Sequence, residues 1–161
     1  RPPFDRPDWD DLLDKLPVEI EEPWRMTTEE RRGVEQGGDD TFARWSMFLV
    51  ERMHRARVPI AAGTDTPISF AAPGYSLHSE LEMLVRAGLS PLEALRSATV
   101  RPAEFFGLAS EMGTVEEGRL ADLVLLSQNP LDDIRNTRSV EAVISKGVLL
   151  SRNALDVLVR Q

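Results

Sequence analysis

A chain of 161 residues, 42% hydrophobic and 29% charged, is long enough to bury one ordinary core and too apolar to be a disordered segment. Its formal net charge of −8 excludes the basic face that nucleic acid requires, and no apolar run approaches the roughly 20 residues that cross a bilayer. Cysteine is absent, which removes disulfides, thiolate nucleophiles and cysteine-rich zinc sites, and there are two histidines, His54 and His78.

The chain opens RPPFDRPDWDD, without methionine and without the basic flank and apolar stretch of a signal peptide, so we expect a piece of a longer protein. Its compartment is left open, with the cytoplasm as default. Residues 1–39 read as an irregular lead-in, because prolines at 2, 3, 7, 17 and 23 interrupt every longer pattern. Within it WDDLLDKL forms a short amphipathic turn with Trp9, Leu12, Leu13 and Leu16 on one side. TTEERRG predicts a short helix capped by Thr27 or Thr28 and stopped by Gly33, followed by the loop EQGGDD.

Residues 40–112 carry a tighter pattern. In DDTFARWSMFLVERMHRARV the apolar positions Phe42, Trp45, Phe48, Leu49, Met53 and Ala56 recur at helical spacing, with Asp39 or Asp40 as N-cap and an end near Arg57. PIAAG then reads as a buried strand and TDTP as its exit, a helix-to-strand step of an α/β fold. LHSELEMLVRAG predicts a helix capped by Ser76 and ended by Gly88. LSPLEALRSAT predicts another, with Ser90 and Glu93 as a capping box and Pro91 in the first position. VRPAEFFGL is a third, closed by Gly107.

Residues 113–161 change character. Ala121 to Leu126 is a near-continuous apolar run, expected to be a strand buried on both faces. SVEAVISKGVLLSR predicts a hairpin turning at Lys146-Gly147, and ALDVLVR a closing helix.

Several phrases in this order carry a resemblance: AGTDTP, then LHSELEMLVRAGLSPLEALRSATVRPAEFFGL, then MGTVEEGRLADLVLLSQNPLDDIRNT, then VEAVISKGVLL. Together, from about Val58 to Arg152, they resemble the C-terminal part of metal-dependent amidohydrolases, near the imidazolonepropionase-like and prolidase-like branch. The resemblance implies the C-terminal fragment of a (β/α)8 barrel together with strands of a small composite β-sandwich. It implies that PIAAG is the last barrel strand and that Asp65, at its end, is both a metal ligand and a catalytic proton carrier. The implied ion is zinc, one or two in the intact protein, and the implied substrate is a small amide or dipeptide-like molecule. The family's H-x-H pair is absent, so the chain alone is expected to be inactive, with an open barrel edge that favours a homo-oligomer. Two other readings stand beside hydrolysis of a C–N bond: a non-catalytic relic or interaction module, and a deaminase- or isomerase-type enzyme on the same scaffold.

Each residue also has a plainer reading. Asp65 could be a turn aspartate bonded to its own backbone. His78 is either a substrate-binding residue near the barrel mouth or a histidine in the first turn of a helix. Glu80 suits a helix start and His54 a helix C-terminus. Asp122 is expected to tie its strand to a neighbouring turn, Asp132 and Asp133 to begin a helical turn, and Trp9, Trp24 and Trp45 to serve packing.

Overall fold

The computed structural model describes residues 6, 8–32, 40–66, 68 and 70–158. Gly33, residues 35–39 with the Asp39 cap, and Pro67 lie outside them. Helix α1 (Trp9–Leu13) turns Trp9, Leu12 and Leu13 inward, the side its spacing predicts, with Leu16 packed beside them. Helix α2 differs from expectation. It does not begin at Thr27 but runs from Val18 to Arg31, through Pro23. The two threonines that resemble caps are engaged elsewhere: the Thr27 hydroxyl donates to the Pro23 carbonyl at 2.9 Å, and the Thr28 hydroxyl accepts the Trp9 indole N–H at 3.1 Å. A proline inside a helix costs about 3 kcal/mol. Burial of Trp24 against Trp9, whose ring centroid lies 6.1 Å away in a stacked pair, works against that cost.

Helix α3 (Thr41–Arg55) starts after Asp40, whose side chain makes no capping bond, and ends two residues short of Arg57. Its aromatic stripe is not the face that packs. Val50 meets the core while Phe42 and Trp45 remain 76% and 54% exposed, so the packing role expected of Trp45 is not seen. Trp9 and Trp24 do serve packing.

The PIAAG segment also departs from expectation, for it is not a strand. Exposure alternates residue by residue from Pro59 to Thr64, with Ile60, Ala62 and Thr64 turned inward, which is the period of a strand. Yet no described residue pairs with it, because a ladder needs a neighbour. Its inner positions Ile60 and Ala62 pack instead on a helical layer.

That layer comprises α4 (Tyr75–Arg86), α5 (Pro91–Ser97) and α6 (Val100–Phe105). Gly74, not Ser76, precedes α4. The capping box of α5 forms as predicted: Glu93 N–H donates to Ser90 Oγ at 3.3 Å and Ser90 N–H to Glu93 Oε2 at 2.8 Å. Leu81, Leu84, Leu89 and Ala94 make the buried centre, closed from below by Ile134 of a 3-10 turn (Ile134–Arg138). Asp133 caps that turn, as its sequence position suggests, by accepting the Arg135 N–H at 2.9 Å.

Strands β1 (Leu123–Leu126), β2 (Val140–Ser145) and β3 (Val148–Ser151) form an antiparallel sheet in that order, and helix α7 (Arg152–Leu158) packs on β2 and β3. The β2–β3 turn sits where expected, with Lys146 at φ +48° and Gly147 at φ +80°, both left-handed as a two-residue hairpin turn of type I′ demands. Asp122 performs its predicted tie: its Oδ1 accepts the Lys146 N–H at 2.7 Å while the Ala121 carbonyl accepts Gly147 N–H at 3.0 Å. Strand β1, however, is not buried on both faces. Val124 and Leu125 are 58% and 63% exposed, since no second layer of described residues lies over them.

One glycine is required by close approach. At Gly113 (φ +97°) an added Cβ would sit 3.0 Å from Ala103 Cβ and 3.1 Å from the Thr99 carbonyl, whereas at Gly118 (φ +85°) it would meet nothing within 4 Å. Gly118→Ala is therefore expected to cost about 1 kcal/mol from backbone strain alone, and Gly113→Ala at least about 2 kcal/mol from strain plus overpacking, as read from urea denaturation midpoints. Equal losses at the two positions would contradict the packing described for α6.

Candidate functional site

The candidate site is built where the extended segment ends. Ala62 N–H donates to the Ser97 carbonyl at 2.9 Å, and Gly63 N–H to Glu80 Oε1 at 3.3 Å, which fixes the segment against α5 and α4 just before the turn. Glu80 thus does more than complement a helix start. Asp65 follows, exposed, at φ +53°, a left-handed conformation that costs a non-glycine residue about 1–2 kcal/mol. Among the described residues its carboxylate makes no hydrogen bond or ion pair. The chain around it turns without its help: the Asp65 carbonyl accepts Ile68 N–H at 3.2 Å, and Thr66 N–H reaches Thr64 Oγ1 at 3.4 Å. The plain turn-aspartate bond to the amide two residues on is closed to Asp65 by the sequence itself, because residue 67 is a proline and carries no N–H.

The loop then closes on itself. The Thr66 hydroxyl donates to the Ala71 carbonyl, and Ala71 N–H donates to the Ile68 carbonyl at 2.9 Å. Phe70, also left-handed at φ +65°, places its ring 5.7 Å from Trp9 and 5.6 Å from Trp24, centroid to centroid. Ala72 is fully buried in the same cluster.

His78, on the first turns of α4, stands apart from this loop. Its Nδ1 lies 2.9 Å from Thr137 Oγ1, and the Thr137 hydroxyl already donates to the Ile134 carbonyl at 2.9 Å. Thr137 has one proton to give, so the imidazole must donate from Nδ1, leaving Nε2 as the bare nitrogen of a neutral ring. Burial, and then the Arg138 guanidinium and Arg6, hold the imidazole below its ordinary range, with Glu82 opposing. His78 lines an apolar groove of about 830 Å³ between the helical layer and the sheet, together with Leu77, Leu81, Leu123 and Val143. Asp65 is not part of that groove. His54 sits in the last turn of α3, its Nε2 3.8 Å from Glu93 Oε2, at the helix C-terminus where its spacing places it.

Beside His78 a bracket of charges joins three parts of the chain. Arg138 donates to Glu82 at 3.0 Å and to Ser79 at 3.2 Å, Arg6 donates to Ser79 at 3.1 Å, and the Tyr75 ring lies between the two guanidinium groups, 4.6 Å from Arg138 and 5.4 Å from Arg6. The Tyr75 hydroxyl closes no hydrogen bond of good geometry; burial first and the neighbouring Asp8 carboxylate second push it up to about 12.

A zinc site takes three or four protein ligands. An exposed carboxylate without a protein partner fits one corner of such a site, and Asp65 is that group. Among the described residues no cluster of three His, Asp or Glu side chains completes it, and His78 is tied to Thr137.

Residues 45–150 match the family model described as the Amidohydrolase family. The chain belongs to that family. It is 41% identical over 91 residues to the ochratoxinase of Aspergillus niger, a stretch that is 55% of this chain and 18% of that protein. It is 43% identical over 97 residues to the imidazolonepropionase of Thermoplasma acidophilum, 58% of this chain and 23% of that one. The crystal structure of a Xaa-Pro dipeptidase with bound methionine in its active site superposes on 65% of this chain, and on 25% of its own, with a TM-score of 0.60 and 30% identity. The amidohydrolase chain thus spans about a fifth of the length of these curated relatives. The family match begins inside α3 and leaves α1 and α2 outside, as the uninformative lead-in suggests.

Because His78 is held neutral in the folded chain and titrates near 6.5 when unfolded, the unfolded state binds the extra proton first. Its contribution to stability is complete above about pH 6.5 and is lost as the pH falls through the lower folded value. The thermal midpoint is expected to drop between pH 7 and pH 5, before the carboxylates titrate, and His78→Asn, which keeps a donor for Thr137, is expected to flatten that slope. An unchanged slope in the variant would refute the placement of His78.

Proposed function

We propose that this chain is the C-terminal part of a metal-dependent amidohydrolase that cleaves a C–N bond of a small amide, dipeptide-like or cyclic amide substrate, with Asp65 as its catalytic carboxylate. The observation that carries the reading is the free carboxylate at the end of the extended segment. In α/β barrels the reacting groups ride on the C-terminal ends of strands, and a side chain left unpaired on a strained backbone is available to something other than its own turn. The relatives' names support the reaction class: a dipeptidase, an imidazolonepropionase and a deformylase of N-substituted formamides all part carbon from nitrogen.

In this reading Asp65 accepts the proton of the attacking water and passes it to the departing nitrogen, which would otherwise leave as a strongly basic anion. A zinc ion, when bound, would supply the acidity, lowering the pKa of a water from roughly 15.7 to about 7. Asp65 would hold that ion with ligands from elsewhere in the longer protein. His78 enters through Nε2, the imidazole nitrogen without a protein partner, as a substrate contact. With Asp65 as its one proposed metal ligand, the 161-residue chain alone is expected to be inactive and to bind zinc weakly, while the longer protein holds one or two ions.

Asp65→Asn in the longer protein is expected to lower turnover of a responsive substrate from a panel of N-acyl amino acids and Xaa-Pro dipeptides by 10²-fold or more, the order that proton transfer contributes. The thermal midpoint should barely move, since the side chain has no partner to lose among the described residues and asparagine tolerates the left-handed backbone. Turnover within a few fold of the parent would rule out the assignment.

A further inference from the structure

Among the described residues the Asp65 carboxylate has no partner, so the contacts that hold it act through the backbone. Upstream, the Gly63–Glu80 and Ala62–Ser97 bonds do this. Downstream, with Ala72 buried beside it, the largest anchor among the described residues is Phe70. Its ring is wedged against Trp9 and Trp24, with the Arg31 guanidinium 5.8 Å from its centroid. Trp9 is itself fully buried and fixed by its indole bond to Thr28. The Thr66 hydroxyl then fastens the Asp65 end of the loop to Ala71, next to that anchor. A bulky residue is driven into a left-handed conformation only where its surroundings over-determine it, and here two indoles do so.

We infer that Phe70, gripped by the indoles of α1 and α2, is a positioning residue for Asp65, and that the α1–α2 pair serves as the wall that sets where this carboxylate points. The inference rests on the reading of Asp65 as a metal-site carboxylate and adds a role to a part of the chain that lies outside the family match. It identifies no new ligand; it says that the geometry of the known kind of site is set from residues 9–32.

The test is a double-mutant cycle in the longer protein, read by calorimetric titration with zinc ion alone, with tryptophan emission and the thermal transition followed alongside. Asp65→Asn is expected to weaken zinc binding at least tenfold. Phe70→Ala is expected to weaken it about fivefold, and Phe70→Tyr to restore it to within twofold of the parent. In the Asp65→Asn background Phe70→Ala should add less than twofold, because it acts through the carboxylate already removed. A merely structural Phe70 would lower the thermal midpoint and leave zinc affinity unchanged, or weaken it equally in both backgrounds; either result overturns the inference while sparing the reading of Asp65. If Asp65→Asn leaves zinc affinity unaltered, the reading fails and the inference with it. Where Phe70→Ala shows no cooperative thermal transition, Thr66→Val decides instead: it cuts the loop fastening without touching the core, a weakening of threefold or more that vanishes in the Asp65→Asn background supports the inference, and an unchanged affinity overturns it.

Discussion

The span from Ala62 to Ala72 is pinned at both ends by different hydrophobic clusters, and the placement of Asp65 depends on that double attachment. Ile60 and Ala62 pack on the cluster of Leu81, Leu84, Leu89 and Ala94, while Phe70 and Ala72 enter the cluster of Trp9, Leu12 and Leu13. Between them lies a short loop carrying two left-handed non-glycine residues. At about 1–2 kcal/mol each, such conformations relax unless both ends are held. Buried Trp and Leu side chains supply several times that amount, since truncating one to alanine costs about 2–5 kcal/mol. The strain is therefore sustained by packing and not by any bond that the carboxylate makes.

A second set of contacts ties the same parts together electrostatically. Glu82 on α4 accepts from Arg138 of the 3-10 turn and lies 3.7 Å from Arg6, and both guanidinium groups donate to the Ser79 hydroxyl oxygen. Exposed pairs of this kind contribute at most about 1 kcal/mol, but these side chains are roughly three-quarters buried and stack on the Tyr75 ring. The arrangement sets one orientation among α4, the 3-10 turn and the segment before α1. Burial first, and then the Arg138 and Arg6 guanidinium groups of this arrangement, keep His78 neutral, with Glu82 opposing.

Local chemistry made much of the fold legible in the sequence. The capping box at Ser90 and Glu93, the Lys146-Gly147 turn and the Asp122 tie each depend on residues close in sequence or on backbone conformations that few residues adopt. Misreadings arose where the deciding partner was distant. Thr28 looks like a cap until Trp9, 19 residues earlier, claims its hydroxyl. Ser79 and Arg6 meet across 73 residues, a distance over which no periodicity speaks. Phe70 had no signal at all, since nothing in a phrase such as SFAAPG marks which aromatic residue will pack against two stacked indoles.

The remaining misreadings have one feature in common: apolar residues that the pattern assigns to the interior are exposed among the described residues. PIAAG alternates like a strand without a ladder, α3 shows water an aromatic stripe, and β1 shows it two aliphatic side chains. Each pattern is what burial would select, and leaving it uncovered forgoes about 25 cal/mol for every Å² of apolar surface. All three leave apolar surface uncovered by any described residue, and the stretch matched to the curated relatives is only 18% to 23% of their length. By contrast, α1 and α2 bury their apolar residues against the Asp65 loop within this chain, so the wall beside the carboxylate is satisfied internally. The Asp65 loop is thus fixed by packing within the described residues, while the exposed apolar faces lie on other elements.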